Sequence, residues 1–138
     1  MKNFKLFLFL TACLFFLNCY TVTESKSSSN PDFKVGKAGF EKRLKRQFDF
    51  DKLSIGFYTT KKNGSSKENG LNLTFKINNL ETISDSLINS YTDVIKEEVK
   101  ANLLHLKDYN YINITFENEL TKGNLRKVNS IKIKKQLN

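Results

Sequence analysis

The 138-residue chain has no tryptophan, one proline, one histidine and two cysteines, Cys13 and Cys19. A zinc site usually needs several histidine or cysteine ligands, and a Ser–His–Asp triad needs a histidine beside its serine. The single histidine, His105, is predicted near the C-terminal end of a long helix and completes neither arrangement. The glycine-rich phosphate-binding motifs GxGxxG and GxxxxGK are absent as well. No metal, cofactor or catalytic residue is therefore predicted.

The longest apolar run extends from Phe4 to Leu17, and Lys5 is its only charged residue. As an α-helix these 14 residues would span about 21 Å. The hydrocarbon core of a bilayer is about 30 Å thick. The run therefore has the length of a signal-peptide core and is short for a transmembrane helix.

The apolar run is followed by Asn18, Cys19 and Tyr20, and then by the polar segment TVTESKSSSNPD. A basic start, a short apolar core, a cysteine and a polar linker together resemble the leader of a bacterial lipoprotein with a relaxed lipobox. The resemblance implies cleavage before Cys19, acylation of its sulfur, and anchoring in an extracytoplasmic membrane leaflet of the bacterial cell envelope. Two or more acyl chains give stable attachment to a bilayer.

Cys13 is the alternative lipidation site. The LTAC sequence that ends at Cys13 matches the strict lipobox better, because a small residue precedes the cysteine. Cleavage there would leave four apolar residues at the mature N-terminus, so position and flanking sequence favour Cys19. An ordinary secretion signal, or a leader that stays as an uncleaved anchor, also remains open.

Three segments are expected: a signal peptide over residues 1–18, a lipidated cysteine and flexible tether over residues 19–35, and one globular domain over residues 36–138. Cleavage before Cys19 would leave 21 basic and 14 acidic residues, a net charge of +7. A basic surface attracts polyanions through long-range forces that salt screens. The same composition also fits lysines that are simply solvated.

Hydrophobic periodicity predicts a short basic helix over Ala38–Phe48 and a long helix over Ser84–Lys107, whose apolar stripe includes Leu87. Alternation of apolar and polar residues predicts four strands: Leu53–Thr59, Leu71–Asn78, Tyr109–Glu117 and Leu125–Leu137. Val128 breaks the alternation of the last strand and predicts a bulge or a late start.

The order α-β-β-α-β-β predicts an α+β fold, a small two-layer sandwich with an antiparallel sheet packed against one long helix. Helices are expected on one face of the sheet. The candidate binding face is the opposite one: Tyr58, Lys76, Tyr111, Lys132 and Lys134.

This face suits a non-enzymatic, lipid-anchored binding module whose ligand is a polyanion or another envelope protein. No motif for sequence-specific recognition of nucleic acid accompanies it. One alternative is an envelope hydrolase or accessory protein that uses carboxylates, although no pair of acids stands out. Another is a structural subunit that a partner chain completes; the oligomeric state stays open.

Overall fold

A computed structural model describes residues 22–26, 31–62, 67–122 and 125–137. The predicted leader, with Cys13 and Cys19, lies outside this part of the chain. The elements are β1 (Val22–Lys26), α1 (Gly36–Lys45), β2 (Lys52–Lys62), β3 (Glu68–Lys76), α2 (Asp85–Asn102), β4 (Tyr111–Lys122) and β5 (Leu125–Gln136). Two short 3-10 turns, Leu80–Thr82 and Leu106–Asp108, flank α2.

The five strands form one sheet in the order β1-β2-β3-β4-β5. The α+β class is confirmed, but the prediction of an antiparallel sheet is wrong for the central pair. Strands β3 and β4 are parallel, with Gly70 opposite Tyr111 and Lys76 opposite Glu117. The chain leaves β3, returns through α2 and enters β4 beside the start of β3, and such a crossover joins parallel strands. The sheet is therefore mixed.

Strand β1 was not predicted, and it lies within the stretch 19–35 expected to be a flexible tether. It pairs antiparallel with β2, from Val22 opposite Lys62 to Lys26 opposite Tyr58. An edge strand can be held by backbone hydrogen bonds alone, and the sequence VTESK has no apolar alternation to signal it. The element order is therefore β-α-β-β-α-β-β rather than α-β-β-α-β-β.

The hydrophobic core lies between the two helices and one face of the sheet. Fully buried side chains come from both layers: Phe40, Leu44, Ile95 and Val99 from the helices, and Leu71, Leu73, Phe75, Ile112, Ile114 and Phe116 from the strands. Alternate strand residues are buried here, as period-two patterning requires. Both helices therefore pack on this face of the sheet, which confirms the expectation of helices on one face.

The long helix α2 begins as expected but ends earlier than Lys107. Ser84 caps its start by accepting a hydrogen bond from the backbone N–H of Leu87 at 3.3 Å. The helix stops at Asn102 because Leu103 is extended and bridges to Phe33. His105, predicted within the helix, instead lies beyond it with a left-handed φ of 53°. Leu87 is 41% exposed and is not part of the buried stripe, and Leu103 and Leu106 of the predicted stripe lie beyond the end of the helix.

Two other details of the prediction differ. Helix α1 covers Gly36–Lys45 rather than residues 38–48, although Phe48 still packs on Tyr91 with ring centroids 4.6 Å apart. The β4–β5 pairing runs without interruption past Val128, which lies opposite Glu119, so the predicted bulge is absent from this ladder. Val128 occupies the face away from the helices and is 49% exposed. Within the described residues, no helix has the length and apolar character needed to cross a bilayer.

Candidate functional site

The five residues of the candidate binding face all lie on the sheet surface opposite the helices. The register places Tyr58 opposite Gly70, and Gly70 opposite Tyr111. On β5, Lys132 lies opposite Thr115 of β4 and Lys134 lies opposite Asn113 of β4. Along each strand these residues alternate with residues that face the core. The sequence therefore assigned their side chains to the correct face.

Tyr58 and Tyr111 are packed rather than open on this face. They are 9% and 3% exposed, and their rings meet edge to face with centroids 5.7 Å apart. Both rings lie over Gly70, where the missing side chain leaves room for them. The ring faces are therefore not available as a stacking platform for a ligand.

A polar network fixes the two tyrosines. Asn113 donates a hydrogen bond from Nδ2 to Tyr58 Oη, and the hydroxyls of Thr60 and Tyr111 are 3.2 Å apart. Lys134 Nζ lies 3.5 Å from the centroid of the Tyr111 ring. A cation over an aromatic face is attracted to the ring without being neutralised. The network thus positions Lys134 and leaves its charge intact.

Lys76 is engaged in an ion-pair network. Its Nζ is 3.1 Å from Glu119 Oε2, and Arg126 Nε is 2.6 Å from Glu119 Oε1. The hydrogen bond from Lys76, and then the hydrogen bond and charge of Arg126, hold the pKa of Glu119 below its ordinary value. Lys76 therefore joins β3 to β4 through the carboxylate of Glu119, which it shares with Arg126.

Strand β5 carries two neighbouring lysines on this face that have no ion pair within the described residues, and Lys52 at the start of β2 is a third such cation. Lys132 and Lys134 are exposed, and neither has an ion pair with any other described residue. Lys135 points to the helix side, where its Nζ is 3.2 Å from Asp93. Lys132 and Lys134 are called the β5 lysine pair below.

A cleft that sequence reasoning missed lies where β3 and β4 begin. It has a volume of about 570 Å³, and its walls include Phe57, Asn69 and Tyr109. Asn69 is held from both sides, since its N–H donates to Asn110 Oδ1 at 2.8 Å and its Nδ2 donates to the Asp108 carbonyl at 2.8 Å. Phe57, Asn69 and Tyr109 are far apart in the chain, so no local sequence pattern could have revealed the cleft.

Asp32 and Asp108 both line this cleft. Burial raises the pKa of the Tyr109 hydroxyl, and the charges of Asp108 and then Asp32 raise it further. Both carboxylates are exposed, whereas a carboxylic general acid is usually set in a buried, apolar pocket. His105 and Lys107 are also in the lining. In the described part of the chain, no three His, Cys, Asp or Glu residues are grouped to hold a metal ion.

No protein-family model matches the chain. No curated protein and no solved structure matches it either.

Proposed function

We propose that the chain is a lipid-anchored, non-enzymatic module of the bacterial cell envelope that binds a polyanion along β5. The anchor would be an acylated Cys19, as the resemblance of the leader implies. The extracytoplasmic body would then present the helix-free face of the sheet and its β5 edge to the ligand.

The β5 lysine pair carries the binding part of this proposal. Side chains at alternate strand positions are about 6.6 Å apart and point to the same side. The chain from Lys122 to its end contains six basic and no acidic residues, so no carboxylate of that segment competes with an anion. Neutralising charges on a polyanion releases its counterions, which drives binding that weakens as salt rises.

Binding to heparin, used as a model polyanion, tests this proposal. The wild-type protein is expected to be retained on a heparin column and to elute at raised salt. Replacing the pair with Lys132→Gln and Lys134→Gln should lower the eluting salt concentration and reduce the slope of log affinity against log salt by about two.

The double variant Lys42→Gln in α1 with Arg46→Gln directly after that helix is the matched control, because it removes the same charge from the helix layer. Its elution is expected to stay close to that of the wild type. Equal weakening of both double variants would indicate a response to net charge alone. Elution of the wild type with a neutral protein of equal size would remove polyanion binding altogether.

A further inference from the structure

We infer that the end of the sheet where β1 begins faces the bilayer and contacts its headgroups, an inference that rests on the lipidation of Cys19 proposed above. The surface involved, called the proximal end, comprises Val35, Lys37, Lys67, Leu104 and Lys107. The partner is the surface of the bilayer that holds the anchor.

The short distance from Cys19 to the folded body is the first support. β1 begins at Val22, three residues after Cys19. Three residues span at most about 11 Å. The tether expected from the sequence, reaching residue 35, would span at most about 58 Å and would leave the body free to turn. Because β1 pairs with β2, the link between Cys19 and the folded body is much shorter than the tether expected from the sequence.

The direction of β1 decides which end of the sheet is held near the membrane. Val22 lies opposite Lys62, the last residue of β2, while Lys26 lies further along opposite Tyr58. The chain therefore enters the sheet at the end of the strands where β2 finishes and β3 begins. Because β4 is parallel to β3, its first residue, Tyr111, lies at this end as well.

Two exposed apolar side chains lie at the proximal end. Leu104 is 38% exposed and Val35 is 37% exposed. The backbone N–H of Leu104 donates to the Asp32 carbonyl at 2.9 Å, which joins the loop after α2 to the chain leading into α1. Leu104 also lines the cleft with Asn69, at the start of β3. An apolar side chain among lysines is typical of surfaces that lie in the bilayer interface.

The charges at this end favour contact with anionic headgroups. Among the described side chains at this end, the exposed cations are Lys34, Lys37, Lys67 and Lys107. The acidic residues among them are Asp32, Glu68 and Asp108. The positive excess is modest, so the short link to Cys19 selects the orientation, and electrostatic attraction to the anionic lipids supports it.

Depth-dependent fluorescence quenching tests the inference in the intact lipoprotein. Once Cys19 is acylated, the mature chain has no other cysteine, so one introduced cysteine can be labelled alone. The test position is Lys107→Cys and the matched control is Lys52→Cys, both at exposed lysines. Lys52 begins β2, an 11-residue strand, and therefore lies roughly 33 Å along the sheet from its proximal end.

Each labelled protein is reconstituted into vesicles of phosphatidylcholine and phosphatidylglycerol that contain a lipid with a headgroup nitroxide. Quenching is expected to be at least threefold stronger for the label at position 107 than at position 52. Equal quenching, or stronger quenching at position 52, would overturn the orientation. The intact mass of the same samples shows whether Cys19 carries the acyl chains. A lipidated protein with equal quenching overturns the orientation alone, whereas an unlipidated protein overturns the anchor as well.

Discussion

At the scale of one residue, Gly70 leaves the space in which Tyr58 and Tyr111 pack on the helix-free face. A Cβ atom built at Gly70 would lie 2.6 Å from Tyr111 Cε2 and 2.9 Å from Tyr58 Cζ. Both distances are shorter than real Cβ contacts, so the rings could stay in place only if the backbone moved. The absence of a side chain at position 70 is thus a condition for the packing of both tyrosines.

Gly70→Ala is therefore expected to destabilise the protein by about 1–3 kcal/mol through overpacking. The measurement is the free energy of unfolding from urea denaturation. Gly56→Ala is the matched control, because Gly56 lies in the neighbouring strand and its nearest contact would be Asn72 Cβ at 3.8 Å. Alanine there should be neutral or slightly stabilising. Equal stability of the two variants would show that the rings do not need the space above Gly70.

Residue patterning could assign side chains to faces but not say which were buried. Period-two alternation placed Tyr58, Tyr111 and Lys132 on the face away from the helices, as the structure has them. It could not reveal that the tyrosines pack over Gly70, because that contact needs β4, which is distant in sequence, to pair with β3. It also could not separate Lys76, which pairs with Glu119, from Lys134, which has no ion pair with another described residue.

At the scale of elements, the far part of the β4–β5 hairpin extends beyond the rest of the sheet. The β3–β4 pairing ends at Lys76 opposite Glu117, while β4 continues with β5 to Lys122. Glu119 lies in this extension and binds one cation from β3 and one from β5. The two ion pairs therefore join the extension to the central sheet.

The lowered pKa of Glu119 predicts how this connection responds to pH. A carboxyl whose pKa is lower in the folded than in the unfolded state stabilises the fold above its unfolded pKa, about 4.3. That contribution is lost as the pH falls through the folded pKa. Glu119→Gln should therefore reduce stability at pH 7 and flatten the loss of stability below about pH 5.

Urea denaturation between pH 7 and pH 3 measures this effect. Glu117→Gln is the control, because Glu117 lies on the same face of β4 and has no ion pair with another described residue. Its stability at pH 7 is expected to stay closer to that of the wild type than the stability of Glu119→Gln does. A Glu119→Gln profile parallel to the wild type would show that the ion pairs contribute nothing to folding.

The elements that sequence could predict are those with one buried face. The apolar stripe of α2 and the alternation in β2 to β5 follow directly from burial against a common core. β1 was not predicted because the sequence VTESK has no apolar alternation, and its pairing with β2 runs through the backbone. The parallel β3–β4 pair escaped because hydrophobic alternation is the same in both pairing directions. The early end of α2 depends on the distant contact between Leu103 and Phe33.

At the scale of the whole molecule, the surfaces have separate proposed roles. The β5 lysine pair lies on the helix-free face, while the proximal end lies at one end of the sheet. A membrane at that end would leave the face accessible from the side. Polyanion binding and membrane contact are thus compatible in one anchored molecule.

The anchor is the claim on which this placement depends, and intact mass spectrometry of protein extracted from bacterial membranes tests it most directly. The expected mass is that of the chain beginning at Cys19 with a diacylglyceryl group, with or without a further acyl chain. Cys19→Ser should abolish that modification. A mature protein that begins at Met1, that carries no acyl chain, or that is acylated at Cys13 would contradict the account.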